Sequence, residues 1–126
     1  MQYEEIAPDF ETAPVDELIQ VLPMTNVLVL ASSFYESAIA CLSQLDTAAR
    51  RCDWTTVKEQ AHDLKGISGT FGALRLQQLA EELEHEIGMS SSHACTMLQE
   101  MRETFAVARR EIEGLLAANN TTVAAA

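Results

Sequence analysis

Basic residues are scarce in this sequence: 8 Lys and Arg stand against 19 Asp and Glu over 126 residues, a formal charge of −11. Nucleic-acid binding depends on neutralising phosphates with cations, so that class of function is excluded, and an anionic membrane surface is disfavoured for the same reason. The three cysteines, Cys41, Cys52 and Cys95, are odd in number and show no CxxC spacing. Neither a disulfide framework nor a zinc site follows from such a set. No apolar run approaches the roughly 18 residues of a membrane span, and Met1 to Glu5 lack the basic and apolar regions of a signal peptide. The expectation is a soluble cytoplasmic monomer. A Walker-type glycine-rich loop is missing, and the chain is too short to hold a nucleotide-binding kinase domain beside another fold, so autokinase activity is not expected.

Strand-like alternation is absent as well, and what is present is helical periodicity. Residues 1–14, with Pro8 and Pro14 among acidic residues, read as a flexible arm. Asp16 is placed to cap a short helix carrying Leu18, Ile19 and Leu22 and ended by Pro23. From Thr25 to about Cys52 the chain lacks Gly and Pro, and Leu28, Ala31, Phe34, Tyr35, Ala38, Cys41, Leu42, Leu45 and Ala49 recur at three- and four-residue steps. Asp53 is the N-cap expected for a helix that stops at Gly72. Leu74, Leu76, Leu79, Ala80, Leu83 and Ile87 mark the next helix, and Ser90 to Ser92 offer caps for a last one carrying Ala94, Met97, Leu98, Met101, Phe105, Ala108, Ile112, Leu115 and Leu116. Residues 119–126 have no sustained apolar face and are expected to fray. The fold expected is all-α: an antiparallel up-down-up-down four-helix bundle over residues 15–118, with the short N-terminal helix capping one end.

The stretch around His62 carries the chemistry. At helical pitch, Trp54, Val57, Ala61, Leu64, Ser68 and Phe71 share one stripe, which predicts a single buried face. His62 lies about 130° from the centre of that stripe, in a row with Thr55, Lys58, Glu59, Gly66 and Gly69 that should face solvent. Two glycines inside a helix cost about 0.8 to 1 kcal/mol each relative to alanine, so the bare surface next to the histidine has a purpose. The chain holds only two lysines, Lys58 and Lys65, and they bracket His62. An exposed imidazole is nucleophilic near neutral pH, and flanking ammonium groups offset negative charge, so the arrangement suits acceptance of a phosphoryl group.

The run His62-Asp63-Leu64-Lys65-Gly66-Ile67-Ser68-Gly69-Thr70-Phe71-Gly72-Ala73-Leu74-Arg75-Leu76, continuing without a gap to Leu83-Glu84, resembles the histidine-containing phosphotransfer (HPt) domains of multistep phosphorelays. The likeness covers about residues 25 to 88, and it departs at Ile67, where a smaller residue is commoner. It implies His62 as the phosphorylated residue, Lys65 as a neighbour of the phosphoryl group, Gly66 as the small residue that admits a partner and Glu84 as the acceptor bonded to the imidazole. The partners it implies are receiver domains of response regulators and of a hybrid sensor kinase, which would dock around Lys58, Glu59 and Gly69. No cofactor of the chain's own is implied, because the receiver supplies Mg²⁺.

Two other readings compete. The phosphoacceptor region of a sensor histidine kinase also bears an exposed histidine followed by an acidic residue, here Asp63, but the proline usual a few positions later is missing. A helical adaptor would bind a partner without chemistry and keep His62 incidentally. His85 and His93 have no comparable surroundings and are assigned no role.

Overall fold

Capping residues and glycines cut the chain into helices. The computed structural model describes residues 5–86 and 88–125; within them lie α1 (Ala13–Val21), α2 (Met24–Arg50), α3 (Trp54–Thr70), α4 (Leu74–His85) and α5 (Ser91–Ala125), and no strand. Ile87, expected on the apolar stripe of α4, lies outside the described residues, as do Met1 to Glu4 and Ala126.

The Asp53 side chain caps α3 by accepting from Thr56 N at 3.3 Å and from the Thr56 hydroxyl at 2.6 Å. Ser90 caps α5 by accepting from His93 N at 3.1 Å. At the far end of α3, Gly72 N donates to Gly69 O and Ala73 N to Ser68 O, the paired bonds of a Schellman ending, with Gly72 at φ +76°.

Helix α3 packs against α2 and α4, and α5 closes against α2 and α4. The core between them holds Phe34 stacked on Phe71 at 4.8 Å, with the Phe105 edge 5.9 Å from Phe34. Leu45, Leu64, Leu76, Leu79, Leu83, Leu98, Met101 and Ile112 fill the remainder. The stripe expected on α3 is the one buried: Val57, Ala61, Leu64 and Ser68 all face inward, and the Ser68 hydroxyl is satisfied by donating to Leu64 O at 2.6 Å.

Several expectations are corrected. Helix α1 begins at Ala13, so Asp16 sits in its first turn instead of capping it; Pro14, whose φ is already fixed for a helix, opens the first turn. On α2 the inward residue is Val27, while Leu28 is 40 % exposed. The rest of the expected stripe holds, with Ala31, Phe34, Ala38, Cys41, Leu42, Leu45 and Ala49 buried and Tyr35 half-buried at its edge. By length and composition α2 would also suffice to cross a membrane. That property, missed in the sequence, arises because α2 carries only Glu36, Asp46 and Arg50 as charged residues and Val29 and Leu30 are apolar on the outer face.

The arm is tied down from Glu5 onward. Gln78 Nε2 donates to Glu5 O at 2.7 Å, Ala7 N donates to Gln78 Oε1 at 2.8 Å, and Glu11 N donates to Gly72 O at 2.8 Å. Arg75 holds the Gln78 side chain and reaches Glu100 on α5. The tail is likewise not separate, since α5 continues to Ala125. No Gly or Pro follows Gly114 to stop it, alanine has the highest helix propensity, and Asn119 Nδ2 bonds back to Leu115 O at 2.8 Å.

The end of α2 departs from the usual chemistry. Cys52 N donates to Ala49 O and Asp53 N to Ala48 O, so Cys52 occupies the left-handed position of a Schellman ending, at φ 55°. A side chain there costs about 1 to 2 kcal/mol. Cys52→Gly is expected to stabilise the protein by about 1 kcal/mol and raise the melting temperature by about 3 to 5 °C; calorimetry showing no gain would mean the thiol makes a compensating contact.

Candidate functional site

His62 lies in the middle of α3 on the face opposite the core, with its side chain 65 % exposed. Its position follows from phase: Ala61 and Leu64 are fully buried, and the two residues between them, His62 and Asp63, point away from the core. Across the seam, α4 buries Leu79, Ala80 and Leu83, which turns the adjacent Glu84 toward α3.

His62 Nδ1 and Glu84 Oε1 are 2.7 Å apart. An ionised carboxylate only accepts, so the proton of this contact belongs to Nδ1, and Nε2 keeps its lone pair on the exposed edge of the ring. The other oxygen, Oε2, is shielded from solvent and lies 2.7 Å from Lys65 Nζ, an approach too oblique for a directed hydrogen bond yet close enough for charge to dominate. Contact with the Lys65 ammonium, and then the bond to His62, hold the Glu84 carboxyl below its ordinary value of 4.5. The same contact raises Lys65 above 10.5. Glu84 is thus ionised across the neutral range, with one oxygen on each partner.

Beside the ring an open trough of about 500 Å³ is lined by Lys58, Glu59, His62, Asp63, Glu84 and His85. Lys58 and Glu59 thus border the trough on the His62 side, and His85, passed over in the sequence, joins them; its Nε2 is 3.9 Å from Glu84 Oε2. The two glycines expected to leave bare surface differ from each other. A methyl group added at Gly66 would meet nothing within 4 Å, whereas at Gly69 it would collide with the Gln77 amide. Gly66 is open, and Gly69 is not, because Gln77 from α4 lies over it.

The family model for the Hpt domain matches residues 29–118. The chain belongs to the Hpt family. Among solved structures, the histidine-containing phosphotransfer protein B of Pseudomonas aeruginosa PAO1 superposes with a TM-score of 0.76 at 24 % identity, covering 89 % of this chain and 97 % of that one. This likeness shows a shared fold. No curated protein matches the sequence.

In this Hpt domain, then, His62, Lys65 and Glu84 form one connected group, with Gly66 open a turn away. Sequence reasoning missed Gln77. The signal was available in the register: once His62 faces Glu84 across antiparallel helices, seven residues further along α3 is Gly69 and seven earlier on α4 is Gln77.

Because the Glu84 carboxyl is depressed, the clamp is complete at neutral pH and is lost as pH falls through the carboxyl's own midpoint, with Lys65 charged throughout. Carboxyl NMR is expected to show Glu84 titrating below 4.5, and Lys65→Met is expected to move that midpoint upward. An unmoved midpoint in the variant would assign the depression to other groups.

Proposed function

We propose that this Hpt domain is a phosphocarrier in which His62 accepts a phosphoryl group from the aspartyl phosphate of one receiver domain and passes it to the aspartate of another. The observation that carries the reading is the 2.7 Å contact of Nδ1 with Glu84, which leaves Nε2 as the nucleophile on an open face.

In the forward step the Nε2 lone pair forms a bond to phosphorus as the bond from phosphorus to the aspartate oxygen breaks, and the leaving carboxylate takes that electron pair. The Nδ1 proton stays in place. Positive charge that develops on the ring lies against Glu84, so stabilisation grows along the reaction coordinate. Lys65 serves here chiefly to hold Glu84 in position and secondarily as a cation near the incoming phosphoryl group. Lys58, Glu59, Gly66 and Asp63 form the surface a receiver meets, on an up-down-up-down bundle that supplies rigidity.

The protein contributes position and charge, not a nucleotide site. In this reading Mg²⁺ belongs to the receiver's acidic pocket, the chain works as a cytoplasmic monomer, and transfer is reversible.

Incubation with a panel of phosphorylated receiver domains is expected to label the wild type with an acid-labile, base-stable phosphoryl group and to leave His62→Gln unlabelled. Labelling of neither, with partner binding and signalling output intact in His62→Gln, would establish a non-catalytic adaptor instead. Gly66→Ala separates folding from function. The methyl enters open space on a helix, so stability is expected to rise by about 0.8 to 1 kcal/mol, while transfer slows by about tenfold because the partner can no longer reach the same distance; a variant that is both more stable and equally fast would remove Gly66 from the docking surface.

A further inference from the structure

Gly69 has no conformational need to be glycine, since it lies inside α3 before the helix ends at Thr70. Its backbone adopts no positive φ. What it does is leave room for the Gln77 side chain: a Cβ at position 69 would collide with the amide nitrogen and stand 3.1 Å from the amide carbon. A long polar side chain from α4 is therefore laid flat across the backbone of α3.

Its address on the surface is informative. His62 and Gly69 are seven residues apart on α3, and Glu84 and Gln77 are seven apart on α4, so each pair stands two turns apart on one helical row. His62 meets Glu84 at one end of the seam and Gly69 meets Gln77 at the other. The open notch at Gly66 lies between them. A partner that settles into that notch to reach His62 covers about 10 Å of seam and arrives at the Gln77 amide.

The amide is also chemically unspent. Among the described residues no protein group hydrogen-bonds the Gln77 side chain, although the neighbouring Gln78 uses both ends of its amide, on Glu5, Ala7 and Arg75. Glycine at 69 leaves the room in which the amide lies against α3, and each side-chain rotamer frozen on binding costs entropy. A partly exposed amide with a free donor and acceptor, already lying along the seam, is placed to pair with a main-chain or carboxamide group of the docked protein.

We infer that Gln77 is a specificity-determining residue of the phosphotransfer face, contacting the receiver domain through its side-chain amide, with Gly69 leaving the room in which that amide lies. The inference rests on the phosphocarrier reading and adds a contact remote from the reacting atoms.

Transfer is measured from a phosphorylated receiver domain that labels the wild type, comparing Gln77→Leu, Gly69→Ala and the double variant. Leucine keeps the packing of the side chain without its hydrogen bonds, and alanine at 69 displaces the amide while leaving the glutamine. Each single variant is expected to raise KM by about three- to tenfold, the size of one neutral hydrogen bond, with kcat within about twofold. The double variant is expected to be no worse than Gln77→Leu, because both changes remove the same contact.

An unchanged KM in Gln77→Leu, or an effect on kcat alone, overturns the inference. A fall in melting temperature that accounts for the change, restored KM included when assayed well below it, makes Gln77 a packing residue and also overturns it. Failure of the underlying reading looks different: the wild type takes no label from any receiver while small-molecule phosphoramidate still labels it.

Discussion

The seam between α3 and α4 is the constraint on which the site depends. Two packed helices bury Leu64 on one and Leu79 and Leu83 on the other, and that packing fixes which residues meet on the outer side. Glu84 then falls on His62 and Lys65 together, with each carboxylate oxygen given a partner at 2.7 Å. A rotation of either helix by one residue would move the apolar stripe out of the core, so the hydrophobic effect enforces a polar alignment it does not itself favour.

The same seam explains how a surface histidine is held ready. Exposed ion pairs contribute little to stability, since water screens them and long side chains lose entropy in forming them. Here the return is orientation: Glu84 selects the proton-bearing nitrogen, and Lys65 keeps Glu84 ionised and aimed. The arm adds a second brace. Its bond to Gly72 O and its hold on Gln78 pin the turn between α3 and α4, the point where the angle of the seam is set.

Two glycines on one row of α3 show how alike residues can serve different ends. Each weakens the helix by a similar amount. Gly66 leaves space that none of the described residues fills. Gly69 leaves space that Gln77 fills from within. Helix propensity identifies both as costly and cannot tell them apart, because the distinction depends on a side chain from another helix.

The helices, the buried stripe of α3, the Asp53 cap, the Gly72 ending and the outward phase of His62 were legible in the sequence, because each depends on periodicity or on contacts within a few residues. The pairing of Glu84 with His62 needed a resemblance to a family, since nothing local links positions 22 apart. The start of α1, the burial of Val27 in place of Leu28, the tied arm and the left-handed Cys52 were settled by tertiary structure alone. Local chemistry determined where helices begin, which face is apolar and which residue can act as nucleophile. Packing decided the register between helices, and with it which carboxylate and which cation stand beside that histidine and which amide lies over Gly69, because side chains distant in sequence become neighbours only after the core has fixed the rotation of each helix.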